Sequence, residues 1–379
     1  MKKLYFIICV IVVLCYGSCQ GAAHNDSALA YLAKGVQKNN SHDYTEAIYY
    51  FTKALRLDSS LVQAYINRAY SRRQLLDYRE AIADYNTALK LNVTWEESYE
   101  IYFNKALTLV YLNNLKEAMR DFNLAIKLNP QYIDAYYNRS ILKGMSGDYV
   151  GELQDINKVI ALRPNDANAY NSRGIVRSLM GDYERALEDY NTALKMDKSN
   201  ADSYFNRAIV YYSLKKYLDA LEDFSTAIKI KPDAETYNWR ANVKCRLKDL
   251  RGAFDDYNAA ISMNKNDYTA YLNRGQVKFE LKDYKQAVED YSTAIKLKPD
   301  CFFAFYCRGL AKGKLNDFKG EIEDFTKAIE FKPDYESAYN QRGMAKYEIG
   351  DKEGGCNDLN KAVKLGSDSA YNNLIVHCR

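Results

Sequence analysis

The chain contains 379 residues, of which 27% are charged and 47% are hydrophobic, a composition typical of a chain that folds. Its formal net charge at pH 7 is only +4, so bulk binding to nucleic acid or to another polyanion is not expected. Length alone would allow two or three globular domains, but a fixed internal period replaces that expectation with one repetitive domain.

Residues 1–23 differ in character from the rest of the chain. Lys2 and Lys3 precede a 13-residue apolar run from Leu4 to Tyr16, and small residues follow. This pattern is typical of an export signal. Because a run of this length is too short to span a bilayer core of about 30 Å as a helix, we expect a cleaved signal peptide rather than a retained anchor.

Two cleavage sites compete in this segment. The residues up to Cys19 resemble the end of a bacterial lipobox, which would leave Cys19 as a lipidated N-terminus, although Tyr16 stands where that motif usually has an aliphatic residue. The alternative is an ordinary signal-peptidase site with small residues at Gly21 and Ala23, which would release a soluble protein beginning at His24. Both sites predict export. In a bacterium the destination would be the periplasm or, for the lipoprotein, the outer membrane, and otherwise the protein would be secreted.

From Ser27 to Gly366 one pattern recurs, most plainly between Ala270 and Pro299. Its anchor is a basic residue after Ala-Tyr-x-Asn or a variant of it, and successive anchors lie 34 residues apart except for one interval of 37 and one of 33. The anchors are Lys34, Arg68, Lys105, Arg139, Arg173, Arg207, Arg240, Arg274, Arg308 and Arg342. Each copy contains two segments with apolar residues at helical spacing, separated by a short break, so each is predicted to be a helical hairpin.

The prolines check the register of this pattern. All of them lie two residues past the Leu, Ile or Phe that closes a second segment, where a helix is expected to end: Pro130, Pro164, Pro232, Pro299 and Pro333. A 34-residue period with an aromatic and a small residue in its first half, and Asp-Tyr, Ala-Ile and Pro in its second, resembles the tetratricopeptide repeat. The resemblance implies an all-α fold, a right-handed α-solenoid of about ten hairpins over residues 24–366 with a capping helix over 367–379.

Two length changes interrupt the period. Three extra residues occur around Asn92–Glu97, and one residue is missing after Pro232. Both changes are predicted to lie in turns between repeats, because surface turns tolerate changes in length.

An aspartate stands 16 residues after nearly every anchor, as Asp290 does after Arg274, and only the first copy breaks the rule by placing Tyr50 opposite Lys34. Folding the hairpin at its turn brings each base level with its own aspartate. A second base often follows one helical turn after the anchor, as Lys278 does. We predict salt bridges within each repeat that fix the hairpin register. A charged surface for anionic partners is the alternative, and it is disfavoured because every base has its own acid.

The first helices of such hairpins are expected to line a concave face, and the residue before the anchor is often an asparagine there. These asparagines are Asn67, Asn104, Asn138, Asn206 and Asn273. An amide both donates and accepts hydrogen bonds, and the resemblance implies that an asparagine ladder holds the main chain of a bound peptide. In the competing interpretation these asparagines cap neighbouring turns or came with repeat duplication.

Apolar and aromatic residues flank these asparagines and predict a groove in copies two to six. The candidate peptide-binding residues among them are Tyr70, Phe103, Tyr137, Ile141, Ile175, Phe205 and Ile209. Later copies are polar at matching positions, with Asn238, Asn242 and Gln276. The lysine and asparagine pair with which tetratricopeptide domains of chaperone partners hold a C-terminal carboxylate does not occur in these columns.

Cys356 and Cys378 lie at equal distances from Ser367, where the chain turns into its last stretch. An antiparallel pair of helices would bring them level, so a disulfide is predicted in an oxidising compartment, with reduced buried thiols as the alternative. The other cysteines and the three histidines show no metal-binding spacing and no Ser-His-Asp or Cys-His pattern. The sequence therefore predicts no metal, no cofactor and no catalytic site.

Together these features predict an exported, non-enzymatic scaffold that binds a protein or an extended peptide on its concave face. The alternative is an accessory or regulatory subunit of an envelope enzyme or assembly complex, and binding through the convex face or the cap would favour it. A catalytic protein with an unrecognised site is disfavoured, because no polar cluster of the catalytic kind interrupts the repeat columns. Nucleic acid is not an expected partner, and membrane contact is expected only through a lipid on Cys19.

Overall fold

The computed structural model describes residues 23–91 and 93–378, and the regular structure in these ranges is α-helical. Cys19 and the rest of the predicted signal peptide up to residue 22 lie outside the described residues. The helices are α1 (Ala23–Asn40), α2 (Tyr44–Leu57), α3 (Val62–Gln74), α4 (Tyr78–Lys90), α5 (Trp95–Tyr111), α6 (Leu115–Leu128), α7 (Ile133–Met145), α8 (Tyr149–Leu162), α9 (Ala167–Leu179), α10 (Tyr183–Met196), α11 (Ala201–Ser213), α12 (Tyr217–Ile230), α13 (Ala234–Arg246), α14 (Leu250–Met263), α15 (Tyr268–Glu280), α16 (Tyr284–Leu297), α17 (Phe302–Lys314), α18 (Phe318–Phe331), α19 (Glu336–Glu348), α20 (Lys352–Lys364) and α21 (Asp368–His377).

Consecutive helices pair as hairpins, from α1 with α2 to α7 with α8 and from α11 with α12 to α19 with α20, and α21 follows the last pair. The ion pair of Arg173 with Asp189 joins α9 to α10 in the same way. A three-residue turn joins the helices of each pair, which makes them antiparallel neighbours. The chain divides into two compact units between Asp189 and Tyr190, inside α10. Within each unit the repeated array of paired helices confirms the predicted all-α repeat fold. No helix in the described part of the chain is both long and apolar enough to cross a membrane.

The turn inside each hairpin uses one left-handed residue followed by an N-cap. The left-handed residue is Lys282 in one repeat (φ 66°) and Gly181 in another (φ 80°). The next residue, Asp283, donates its backbone N–H to the carbonyl of Lys278 at 2.9 Å, which closes the first helix. The Asp283 carboxylate then accepts from the backbone N–H of Gln286, which begins the second helix. The recurring Gly-Asp-Tyr and Lys-Asp-Tyr breaks are therefore a C-cap and an N-cap in succession.

The five helices that precede a proline end where the prolines predict. These ends are Leu128, Leu162, Ile230, Leu297 and Phe331, each two residues before the proline. The prediction of the helix exits is confirmed, because proline cannot continue the hydrogen-bonded helix.

The two length changes have different outcomes. After Pro232 the turn between α12 and α13 is one residue shorter than the turn between α2 and α3, as expected. The three extra residues were also expected in a turn, and this is wrong: α5 has 17 residues, whereas α3 and α7 have 13 each. Thr94 and Glu97 form a capping box that begins α5 early, so the insertion extends the helix.

Each hairpin closes on small and aromatic side chains of its second helix. In α16 Ala287, Tyr291 and Ala294 are fully buried. A Cβ on Gly275, in the facing helix, would lie 2.7 Å from the Tyr291 ring, so the close approach of the two helices requires glycine there. Full burial of one such aromatic ring stabilises the fold by about 1.5–3 kcal/mol. The position of Tyr291 is occupied in other repeats by Phe51, Tyr85, Phe122, Phe224, Tyr257 and Phe325, which are also buried.

The last helix, α21, packs against α20. Its residue Leu374 contacts the buried cluster of Leu359, Ala362 and Ala370. A disulfide joins Cys356, in α20, to Cys378, directly after α21, with the two Cα atoms 5.7 Å apart. The end of the array is thus covered by a helix that is covalently tied to its neighbour.

Candidate functional site

The charged columns lie inside the hairpins. Arg274 donates from Nε and Nη2 to the two carboxylate oxygens of Asp290, at 2.8 and 2.6 Å, and Lys278 Nζ lies 2.9 Å from the same carboxylate. Asp290 is only 4% exposed. The other pairs with this spacing are Arg68–Asp84, Lys105–Asp121, Arg139–Asp155, Arg173–Asp189, Arg207–Asp223, Arg240–Asp256, Arg308–Asp324 and Arg342–Asp358. The predicted salt-bridge ladder is confirmed. Because its bases are paired with buried carboxylates and are at most 22% exposed themselves, the ladder offers little positive surface to an anionic partner.

Two aspartates of the ladder have a single base as partner. Leu109 and Tyr211 stand where other repeats carry the second base. Burial raises the pKa of Asp121 and of Asp223, and the neighbouring cation, Lys105 in one case, opposes the rise. These repeats therefore hold the least compensated buried carboxylates of the ladder.

The asparagines of the predicted peptide ladder differ in what they can offer a ligand. Three of them donate their side-chain amide to the backbone carbonyl four residues earlier, at 2.8 to 2.9 Å: Asn67, Asn104 and Asn138. Asn138 is also buried, with 8% of its surface exposed. Asn273 instead donates to Asn242 Oδ1 on the preceding first helix, at 3.4 Å. Asn206 lies partly buried in α11. One amide N–H of Asn67, Asn104 and Asn138 is therefore used within its own helix, and the Asn104 oxygen also accepts from Arg73 Nη1 at 3.4 Å.

The residues two before and two after the anchors form what we call the first-helix face. In the first unit Tyr70, Tyr137, Ile141 and Ile175 are partly exposed on it, and in the second unit Phe205 and Ile209 are partly exposed. Phe103 was predicted to belong to the groove, but it is a core residue. It is only 7% exposed, because its ring packs against Phe122 and Tyr132 at centroid distances of 5.9 and 4.9 Å.

A polar cleft interrupts the first-helix face in the second unit. In α13 both face positions are carboxamides, Asn238 and Asn242, where most repeats have apolar residues. The cleft has a volume of about 580 Å³ and is lined by Ala234, Glu235, Asn238, Trp239, Asn242, Asn264, Asp267, Thr269 and Asn273. Sequence reasoning found the change to polar residues but missed the cleft. The signal for it was the coincidence of asparagine at both face positions of one helix.

Burial suppresses the ionisation of two of the three free cysteines among the described residues. Burial raises the pKa of the Cys307 thiol to about 12 and also raises the pKa of Cys245, so both are protonated at neutral pH. Among the described residues no group of three or more His, Cys, Asp or Glu side chains is placed to hold a metal ion.

Comparisons with known protein families identify the repeat in several segments of the chain. Sequence profiles of the tetratricopeptide repeat match residues 66–133, 156–188, 201–233 and 268–301, and a profile described as TPR repeat matches 179–215. No curated protein sequence matches the chain.

Three solved structures illustrate the likeness of fold. A tetratricopeptide repeat protein from Parabacteroides merdae is 21% identical over 65% of this chain and 96% of that one, with a TM-score of 0.52. The C-terminal part of a TPR repeat-containing protein from Cytophaga hutchinsonii is 15% identical over 63% and 99%, with a TM-score of 0.53. The APC/C hetero-tetramer Cut9–Hcn1 gives 12% identity over 94% and 84%, with a TM-score of 0.51. The repeat profiles and the array of paired helices together show that the chain belongs to the tetratricopeptide repeat family.

Proposed function

We propose that the protein is a scaffold without chemistry of its own that binds a protein or an extended peptide along its first-helix face. The observation that carries the proposal is the recurrence of partly exposed apolar side chains on that face, such as Tyr70, Tyr137 and Ile141. A row of exposed apolar groups on a folded protein usually marks an interaction site. The similar Cut9–Hcn1 structure is itself a hetero-tetramer, which supports a fold that works through protein contacts.

The first-helix face is also preorganised within the first unit. Ser71 Oγ donates to Asn39 Oδ1 at 2.6 Å, and Tyr137 Oη and Ser172 Oγ lie 3.4 Å apart. Both contacts join the first helix of one hairpin to the first helix of the next. These contacts hold neighbouring first helices against one another. A ligand that lies across several hairpins therefore meets a face whose backbone is already in place, which reduces the entropic cost of binding.

We also propose that the protein acts in an extracytoplasmic compartment. Two features support the placement: the export-signal pattern of residues 1–23 and the disulfide between Cys356 and Cys378, a bond typical of oxidising compartments. Intact-mass analysis of the mature protein, with and without reductant, tests it. A lipidated N-terminus at Cys19 or a free one near His24 is expected, together with one oxidised cysteine pair. A full-length, fully reduced chain would contradict the placement.

Photo-crosslinking in the native cell tests the binding face. A photoreactive phenylalanine replaces Tyr70 or Tyr137 on the first-helix face. The matched control replaces Tyr49, a tyrosine of the second helix α2 that is 53% exposed, and a further variant replaces Tyr371 in α21, 51% exposed. We expect the same partner to be captured from both first-helix positions and from neither other position. Capture from Tyr49 or Tyr371 alone would contradict the proposal, and Tyr371 would point to a partner that binds the cap.

A further inference from the structure

The polar cleft of the second unit contains a buried acceptor that the protein itself leaves unused. Asn238 Oδ1 is buried and has no hydrogen-bond partner within the described part of the chain. A buried carboxamide oxygen without a partner destabilises the fold, and the equivalent position in most other repeats is apolar. Asn238 lines the cleft, so a turn of its carboxamide would present this oxygen to a hydrogen-bond donor of a bound ligand and remove the penalty.

The electrostatic character of the cleft narrows the chemistry of such a ligand. Two carboxylates line it, Glu235 and Asp267, and no lysine or arginine does. One oxygen of Asp267 accepts from the backbone N–H groups of Thr269 (2.9 Å) and Ala270 (3.4 Å), so it caps α15. Its second oxygen and the exposed carboxylate of Glu235 have no cationic partner in the residues that the structure describes. The cleft is therefore rich in acceptors and negatively charged.

The walls of the cleft are held in place by aromatic side chains of neighbouring helices. Tyr257 donates its hydroxyl to Asn242 Oδ1 at 2.6 Å, which orients that carboxamide. The Trp239 ring packs against Phe224 and Tyr212, with ring centroids 6.4 and 5.6 Å away. A volume of about 580 Å³ lies within the range of small-ligand sites. A side chain of a bound polypeptide would therefore enter a site of fixed shape.

We propose that this cleft binds the guanidinium group of an arginine in the bound polypeptide. A guanidinium carries five N–H donors, no acceptor and a permanent positive charge, which matches an unpartnered carboxamide oxygen beside two carboxylates. A lysine ammonium is a compact, strongly hydrated charge with three donors and fits the spread of acceptors less well. A neutral sugar would leave both carboxylates uncompensated. The inference rests on the proposed function, to which it adds a preference for arginine at one point of the first-helix face.

Fluorescence titration of the full chain tests the inference. The sequence has two tryptophans, so Trp95→Phe leaves Trp239, in the cleft wall, as the only reporter. The probes are the blocked pentapeptide Gly-Gly-Arg-Gly-Gly and the same peptide with citrulline, which keeps the shape of arginine but lacks its charge. We expect a saturable change of Trp239 emission with the arginine peptide and at least tenfold weaker binding of the citrulline peptide. Equal binding of the two peptides would overturn the inference. So would saturable binding of a neutral trisaccharide in place of the arginine peptide.

Variants of the cleft separate a binding role from a structural one. Asn238→Ala and Glu235→Gln should each weaken binding of the arginine peptide at least tenfold. The matched control Asn360→Ala, at an exposed asparagine of α20 outside the cleft and outside the first-helix face, should leave its affinity unchanged. Because Asn238 Oδ1 has no partner to lose, Asn238→Ala should not lower the unfolding temperature. A destabilised Asn238→Ala, or unchanged peptide affinity in both cleft variants, would overturn the inference. Crosslinking from Tyr70 and Tyr137 does not involve the cleft, so failure here and failure of the proposed function are distinguishable.

Discussion

Replacing Asp290 by asparagine tests whether the buried ladder stabilises the hairpins. Asparagine keeps the size of the side chain but leaves Arg274 and Lys278, which are 17% and 9% exposed, facing a neutral amide. Breaking a buried ion pair by neutralising one partner costs roughly 3–5 kcal/mol, because the remaining charges stay buried without compensation. We therefore expect the free energy of opening of α15 and α16 to fall by roughly that amount, ~3–5 kcal/mol.

Hydrogen exchange measured on the full chain gives this quantity for each helix. Because repeats couple mainly to their neighbours, the loss should concentrate in α15, α16 and the adjacent hairpins. The matched control is Lys327→Ala, which breaks an exposed pair with Glu330 whose side chains are 54% and 52% exposed, and it should cost less than about 1 kcal/mol.

A triple variant combines Arg274→Met, Lys278→Met and Asp290→Leu. It distinguishes the destabilisation caused by a buried charge without a partner from the net contribution of the ion pairs to the free energy of unfolding. Removing all three charges together should cost at most about 1 kcal/mol, because no buried charge is left without a partner. If Asp290→Asn lowers the free energy of opening no more than Lys327→Ala does, the reasoning from burial is refuted.

Three further perturbations follow from the structure. Burial raises the pKa of Glu321 to about 7 from its ordinary value of 4.5, so the folded protein holds a proton that the unfolded chain has lost between these pH values. The contribution of Glu321 to stability should therefore fall as pH rises from about 4.5 to 7. In chemical denaturation above pH 7, Glu321→Gln should be more stable than the parent by at most ~3 kcal/mol. Parallel pH profiles of stability for the two proteins would refute this. Lys282→Gly should stabilise the hairpin of α15 and α16 by up to about 1 kcal/mol, because glycine adopts positive φ without strain. Gly181→Ala should destabilise the hairpin of α9 and α10 by about 1 kcal/mol for the same reason. If thermal unfolding shows that both variants shift stability in the same direction, the turn assignment is contradicted. Removing the disulfide, which closes 22 residues, by replacing Cys356 and Cys378 with serine should reduce the exchange protection of α21 by up to ~3 kcal/mol and leave α1 unchanged, and equal protection in both proteins would show that the bond is not needed to hold α21.

The features that the sequence predicted well depend on local, repeated chemistry. A fixed interval between Arg274 and Asp290, together with one turn position, is enough to place the two side chains level across a hairpin. The prolines mark helix ends for an equally local reason, since a missing N–H stops a helix in any tertiary setting. Repetition strengthened both predictions, because each copy tests the register independently.

The predictions that failed depend on packing between neighbours. Phe103 has the same spacing as Tyr137, yet it is buried because its ring meets Phe122 and Tyr132. The extra residues before α5 could have formed a loop, and the capping box of Thr94 with Glu97 instead added helix. The polar cleft required three elements, α13, α14 and α15, to be placed together, and spacing along one helix does not reveal their distance.

Hydrogen exchange of the full chain with and without the partner captured by crosslinking tests the central claim most directly. If the first-helix face binds the partner, added protection should appear in α3, α7 and α9, while the second helices α4 and α8 should change little. Protection confined to the second helices or to α21 would contradict the account.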